Sequence, residues 1–161
     1  MLLKNRAGLT LRPFEPEDVG PLLALFRDSV RNVARRDYSE DQVRAWAPDE
    51  IDIAAFGARL GRQRVFVAVE GETIAGFAAL DGHGHVDLLF VHPDHQRKGA
   101  GRLLLQGVEE TARAAGMPGL SAHVSLTARP LFEALGFTAI AERRVPLRGQ
   151  VLTNFRMERM I

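Results

Sequence analysis

Between Leu89 and Glu110 the chain reads LFVHPDHQRKGAGRLLLQGVEE: an apolar run of β type, a basic loop spaced by glycines, and at once a helical pattern. No other stretch constrains the fold as strongly, because a strand that feeds a helix through a tight loop must lay that helix back against its sheet. The first N–H groups of a helix lack partners inside it and stand at the positive end of its dipole, which suits phosphate oxygens. Gly99 and Gly101 have no Cβ, so the backbone can turn and an anion can come close, while Arg97, Lys98 and Arg102 add local positive charge. Residues 96–101, QRKGAG, therefore read as a phosphate cradle, with a solvated basic turn as the plainer alternative. The loop is not a P-loop, since GxxxxGK[ST] is absent, nor a dinucleotide fingerprint, since Leu104 stands where the third glycine would fall.

The 161 residues are expected to form a single domain over 1–161, long enough to bury roughly 70% of the surface of the unfolded chain. A formal net charge of +1 argues against a nucleic-acid partner and leaves any anion site local. The absence of cysteine removes disulfides, thiolate metal sites and cysteine nucleophiles together, in keeping with a cytoplasmic setting. The start, MLLKNRAGLT, has too short an apolar run for a signal peptide, and no stretch reaches about 18 apolar residues, so no membrane partner is expected.

Along the chain, 9–14 read as a short strand, and Pro16 followed by Glu17 and Asp18 opens a helix with an apolar face of Val19, Leu22, Leu23, Leu25, Phe26 and Val30. Ser39 and Gln42 form a capping-box pair for a second helix, which Pro48 ends near Trp46. A third short helix falls within 51–60. The runs 65–69 and 73–80 around Glu70-Gly71-Glu72 predict a hairpin. Strict alternation over 85–91 puts Val86, Leu88 and Phe90 on one face and His85, Asp87, Leu89 and Val91 on the other. A long helix over 101–116, a strand in LSAHVSL, a short helix in ARPLFEALGF and a closing β-pair at 138–145 and 151–160 complete a mixed α/β sheet.

The string VHPDHQRKGAGRLLL resembles the acyl-CoA-binding signature of the GCN5-related N-acetyltransferase (GNAT) superfamily, with Val91 and Pro93 in the turn and then Gln96, Gly99 and Gly101. TARPLFEALGF resembles that superfamily's later helix through Ala128, Leu131, Glu133, Gly136 and Phe137, and RDYSEDQVRAWAP is similar to a segment of its YafP-like bacterial subgroup. The resemblance implies a GNAT fold: a mostly antiparallel central sheet flanked by helices and splayed between its fourth and fifth strands, with acetyl-CoA as acetyl donor in the split. Main-chain groups of Leu89, Phe90 and Val91 would then meet the pantetheine arm. Gln96 and the amides of Arg97, Lys98, Gly99, Ala100, Gly101 and Arg102 would hold the pyrophosphate. The Leu89 N–H would steady the developing oxyanion.

The reaction implied is direct attack of an amine on the thioester. An alkyl amine has a pKa near about 10.4 and must lose a proton to attack, so His85, Asp87 or a water between them is expected to accept one; the plainer role of both is hydrogen bonding at a sheet end. Relatives commonly place a tyrosine where this chain has Phe132, which cannot protonate the leaving thiolate but still borders the cofactor. Thr127, and Ser125 before it, would contact the cofactor arm or cap the following helix. Tyr38, Trp46 and Asn154 are the expected acceptor contacts, against core or hairpin roles for the same residues. His83, His85, Asp87, His92 and His95 lack a complete metal-ligand spacing, and no metal is expected. The acceptor is a small-molecule or peptide amine, a homodimer is compatible with the sequence, and a non-catalytic acyl-CoA-binding or sensor module is the alternative.

Overall fold

A computed structural model describes residues 3–161. Seven strands form one sheet in the order β1-β2-β3-β4-β5-β7-β6, comprising β1 (Thr10–Pro13), β2 (Arg64–Glu70), β3 (Thr73–Leu80), β4 (His85–Val91), β5 (Gly119–Ser125), β6 (Thr138–Leu147) and β7 (Gln150–Met160). The helices are α1 (Val19–Asn32), α2 (Glu40–Trp46), α3 (Ile53–Gly61), α4 (Ala100–Ala114) and α5 (Arg129–Ala134). Only β4 and β5 run parallel. The long crossover between them is α4, as a parallel pair demands.

Each face of the sheet is covered by the apolar stripe of a helix. Leu103, Leu104, Leu105 and Val108 of α4 pack with Ala75, Ala78, Leu120, Ala122 and Val124, and Phe132 of α5 joins the same cluster. On the opposite face Leu22, Leu23 and Leu25 of α1 and Phe56 and Leu60 of α3 meet Val65, Val67, Val69, Phe77 and Leu88. A third cluster draws Val30, Tyr38 and Val43 against Leu152 of β7. The predicted caps form as expected: Gln42 N–H donates to Ser39 Oγ at 3.1 Å while Ser39 N–H donates to Gln42 Oε1 at 2.8 Å.

Two irregularities open the sheet. Ala79 is level with Leu88 and Leu80 with Val86, so Asp87 is an extra residue bulged out of the β3–β4 ladder. The simple alternation expected for this strand is therefore broken: Val86 lies with Leu89 and Val91 on the α4 face, while Leu88 and Phe90 face α1 and α3. His85 and Asp87 consequently share the α3 side with Leu88 and Phe90, not with Leu89 and Val91. The second irregularity is that β4 and β5 pair only at His85–Ser121 and Val86–Ala122, although β4 runs to Val91 and β5 to Ser125. Beyond that closed apex the two strands part.

Candidate active site

The split presents main chain as well as side chains. His92 N–H donates to Ala75 O at 2.7 Å, and the Phe90 carbonyl oxygen turns toward Gly76 of β3, lying 2.8 Å from where a Gly76 Cβ would sit. Because successive residues of a strand direct their polar groups to alternate sides, Leu89 and Val91 turn theirs toward the split. The Val91 carbonyl is occupied by Gln96 Nε2 at 3.0 Å. Gln96 thus ties the loop to the end of β4.

The glycine loop enters α4 through left-handed backbone at Arg97 (φ 62°) and Gly99 (φ 80°). Among the described residues, the amides of Arg97, Lys98, Gly99, Ala100, Gly101 and Arg102 donate to no protein acceptor. Asn5 braces the loop from the N-terminal arm, with Nδ2 donating to Lys98 O at 2.8 Å while Oδ1 accepts the Leu9 N–H at 2.9 Å. The two glycines have different reasons. Gly99 supplies the turn, whereas Gly101 lies inside the helix, where an added Cβ would meet Leu131 Cδ2 of α5 at 2.5 Å. Its missing side chain also leaves room for Leu131 where α5 docks.

Side chains along the split form two adjoining hollows that share Trp46, Leu89, Phe90, Ser125 and Ala128. The smaller, about 140 Å³, reaches Gln96 and Thr127 at the loop end. Thr127 Oγ1 is buried there without a hydrogen-bond partner, whereas Ser125 Oγ accepts the Ala128 N–H at 3.0 Å and so caps the following turn. The larger, about 400 Å³, is walled by Phe26, Trp46, Phe56, Phe90 and Phe132 and bounded by polar groups of β4, β5 and β7. Phe132 is buried and packs edge-on to Phe137, with ring centroids 4.9 Å apart. Tyr38 is also buried, its hydroxyl donating to Thr153 O at 2.6 Å and accepting the Leu126 N–H at 2.9 Å. Burial raises its pKa. Trp46 stands against both Tyr38 and Phe90. Asn154 lines the hollow while its Oδ1 accepts from Arg143, and Arg148 reaches Ala45 O.

At the apex, Asp87 receives Nε and Nη2 of Arg59, both at 2.7 Å, and Nε2 of Gln63 at 2.8 Å. Burial pushes its carboxyl pKa upward, but these hydrogen bonds and the Arg59 charge prevail and hold it below the ordinary value. His85 Nδ1 lies 2.9 Å from Ser121 Oγ, and its ring packs 4.7 Å from that of His123. Of these two histidines, only His123 borders the larger hollow. Sequence reading did not single out His123, Arg59 or Asn5. The strand pattern of LSAHVSL contained His123, but no motif marked it.

Unpaired loop amides, an orphaned threonine hydroxyl and an open strand edge fit a ligand with phosphates at one end and an amide-bearing arm behind them. That is the chemistry of a coenzyme A thioester, and the fold around it defines a CoA-dependent acyltransferase. The chain belongs to the acetyltransferase (GNAT) domain family, whose sequence model matches residues 34–159. It is 33% identical over 150 residues to the uncharacterized N-acetyltransferase YafP of Escherichia coli, covering 93% of this chain and 95% of that protein. A GCN5-related N-acetyltransferase structure from Rhodopseudomonas palustris superposes with a TM-score of 0.91 at 34% identity, covering 100% of this chain and 98% of the other. The structure of yncA from Salmonella typhimurium with its cofactor acetyl-CoA is 26% identical, with a TM-score of 0.67 over 94% of this chain and 93% of the other. The protein is accordingly an N-acetyltransferase with acetyl-CoA as donor, rather than a CoA-binding sensor module. Among the described residues no helix is long and apolar enough to cross a membrane.

Proposed function

We propose that this acetyltransferase acts in the cytoplasm on a small-molecule amine with an apolar body, which attacks the thioester directly. The observation that carries this reading is the larger hollow, where aromatic walls lead to the polar apex of the β4–β5 split. Phe26, Phe56 and Phe90, with Trp46 and Tyr38, offer flat apolar surface to the acceptor body, and Asn154 adds a polar contact at the β7 side. Burying such a body releases roughly 25 cal/mol per Å² of apolar surface. The aromatic wall thus favours it over a strongly charged one.

In this reading acetyl-CoA supplies an activated acetyl thioester. The amides of Arg97, Lys98, Gly99, Ala100, Gly101 and Arg102 hold its pyrophosphate, aided by the local basic charge. Thr127 Oγ1 and the main chain of Leu89, Phe90 and Val91 hold the arm, and Phe132 closes the thioester end. The Leu89 N–H donates to the carbonyl oxygen as negative charge builds there. His85 and Asp87 form the polar field into which the amine proton leaves. Asp87 acts as a fixed negative charge, because Arg59 and Gln63 already occupy its oxygens. Phe132 donates no proton, and the Tyr38 proton is engaged by Thr153 O. A thiol pKa near about 8.5 lets the thiolate leave without an enzymic acid near neutral pH.

The test is thiol release from acetyl-CoA with a panel of primary amines. Turnover is expected with arylalkyl and alkyl amines such as 2-phenylethylamine and not with acidic amino acids. Turnover confined to acidic or peptide acceptors would overturn the apolar-body assignment.

A further inference from the structure

We propose that His123 of β5 takes the proton from the attacking amine, with His85 and Ser121 as positioning residues that set its ring. This rests on the acetyltransferase reading above and assigns a catalytic residue outside β4.

Three side chains able to accept a proton stand on the acceptor side of the split apex. Asp87 already accepts three hydrogen bonds, from Arg59 and Gln63, and is paired with the Arg59 charge. His85 has one ring nitrogen committed to Ser121 Oγ and does not border the hollow. His123 borders the hollow and is exposed, and neither of its ring nitrogens meets a protein partner among the described residues. It can therefore face an amine from one side and release a proton to water from the other. The His85 ring, 4.7 Å away at 64°, packs against it and restricts its rotation.

Charge around His123 favours its neutral, basic form. Partial burial lowers its pKa first, followed by Arg143 of β6, His85 of β4 and Arg156 of β7, with Asp87 opposing them. Of the other charged groups nearby, Arg59 of α3 is neutralised by Asp87, Glu158 of β7 pairs with Arg156, and Arg148, which also borders the hollow, donates to Ala45 O. A neutral imidazole near pH 7 is the state a general base requires. As the amine nitrogen bonds to the acetyl carbon, the C–S bond breaks and its electron pair leaves on sulfur. The amine proton passes to the free His123 nitrogen and from there to solvent, and the thiolate takes a proton from solvent.

The experiment compares wild type, His123→Gln, His123→Ala, His85→Gln and His83→Gln, using 2-phenylethylamine as acceptor. His123→Gln is expected to lower kcat/KM by about 100-fold and to remove the enzyme's own ionisation from the acid side of its pH profile, leaving only that of the amine, with acetyl-CoA affinity unchanged. Imidazole should partly restore His123→Ala, and His83→Gln, on an exposed turn, should match wild type. An NMR titration of the ligand-free protein supplies a readout apart from turnover: His123 should titrate below the ordinary histidine value and move upward in His85→Gln. A His123→Gln enzyme with wild-type kcat/KM and a pH profile identical to that of wild type, or a His123 titration indifferent to His85, would overturn the assignment. A wild type that binds acetyl-CoA but acetylates no amine would overturn the acetyltransferase reading, and the role of His123 with it.

Discussion

Arg59 and Asp87 close a two-pronged ion pair between α3 and the β4 bulge, with Nε–Oδ2 and Nη2–Oδ1 both at 2.7 Å. The pair holds the extra residue of the bulge on the α3 side, next to the point where β4 leaves β5. Because the Asp87 carboxyl pKa is depressed in the fold, its contribution to stability is present above the unfolded value of about 3.9 and fades as pH falls through the folded value. Asp87→Asn should therefore lower Tm at pH 7, and the gap to wild type should close as pH drops below about 4. Thermal melts across pH 3–7 measure this; a gap independent of pH would contradict it.

Gly84 sits at the closed apex with φ +87°, and an added Cβ would stand 2.6 Å from the Gly119 carbonyl oxygen. Left-handed backbone costs a non-glycine residue about 1–2 kcal/mol and overpacking about 1–3 more. Gly84→Ala should destabilise the protein by about 2–5 kcal/mol in urea unfolding. Gly82→Ala, with open space around it, should cost far less.

Asn5 hydrogen-bonds the glycine loop through the Lys98 carbonyl and stands over Gly99, so removing its amide loosens the cradle without altering the apex. A hydrogen bond of this kind contributes about 0.5–1.5 kcal/mol. Asn5→Ala is expected to weaken acetyl-CoA binding roughly 2- to 10-fold, with kcat nearly unchanged. Calorimetry and steady-state kinetics separate the two effects.

Tyr38 joins three distant pieces of chain, its hydroxyl bridging Thr153 O of β7 and the Leu126 N–H that follows β5. Tyr38→Phe leaves both main-chain groups unpaired in a partly buried place, at a cost of about 1–3 kcal/mol. A fall in Tm with acetyl-CoA affinity retained is the expected result.

Local chemistry was readable in the sequence wherever neighbours along the chain decide the structure. Ser39 and Gln42 cap each other across three positions, Gly71 turns the β2–β3 hairpin, and the basic glycine loop opens α4 where expected. The split between β4 and β5 followed from the resemblance carried by Gln96, Gly99 and Gly101. What escaped depends on contacts between distant positions. Nothing in HVDLLFV marks the bulge at Asp87, since that residue leaves the ladder to meet Arg59 on a helix many positions earlier. His123 lay in an unremarkable strand and gains its interest only when β5 brings it beside His85. Gly101 stood out only as part of the glycine loop; that its bare Cα also leaves room for Leu131 follows from the docking of α5.

The account depends most on the β4–β5 split and the α4 entrance forming one binding surface. Amide NMR shifts during an acetyl-CoA titration test this directly. The largest saturable changes should fall on Leu89, Val91, Gly99, Ala100, Gly101 and Arg102, with smaller ones at Thr127. Binding that leaves these amides unmoved and perturbs another face of the sheet would contradict the account.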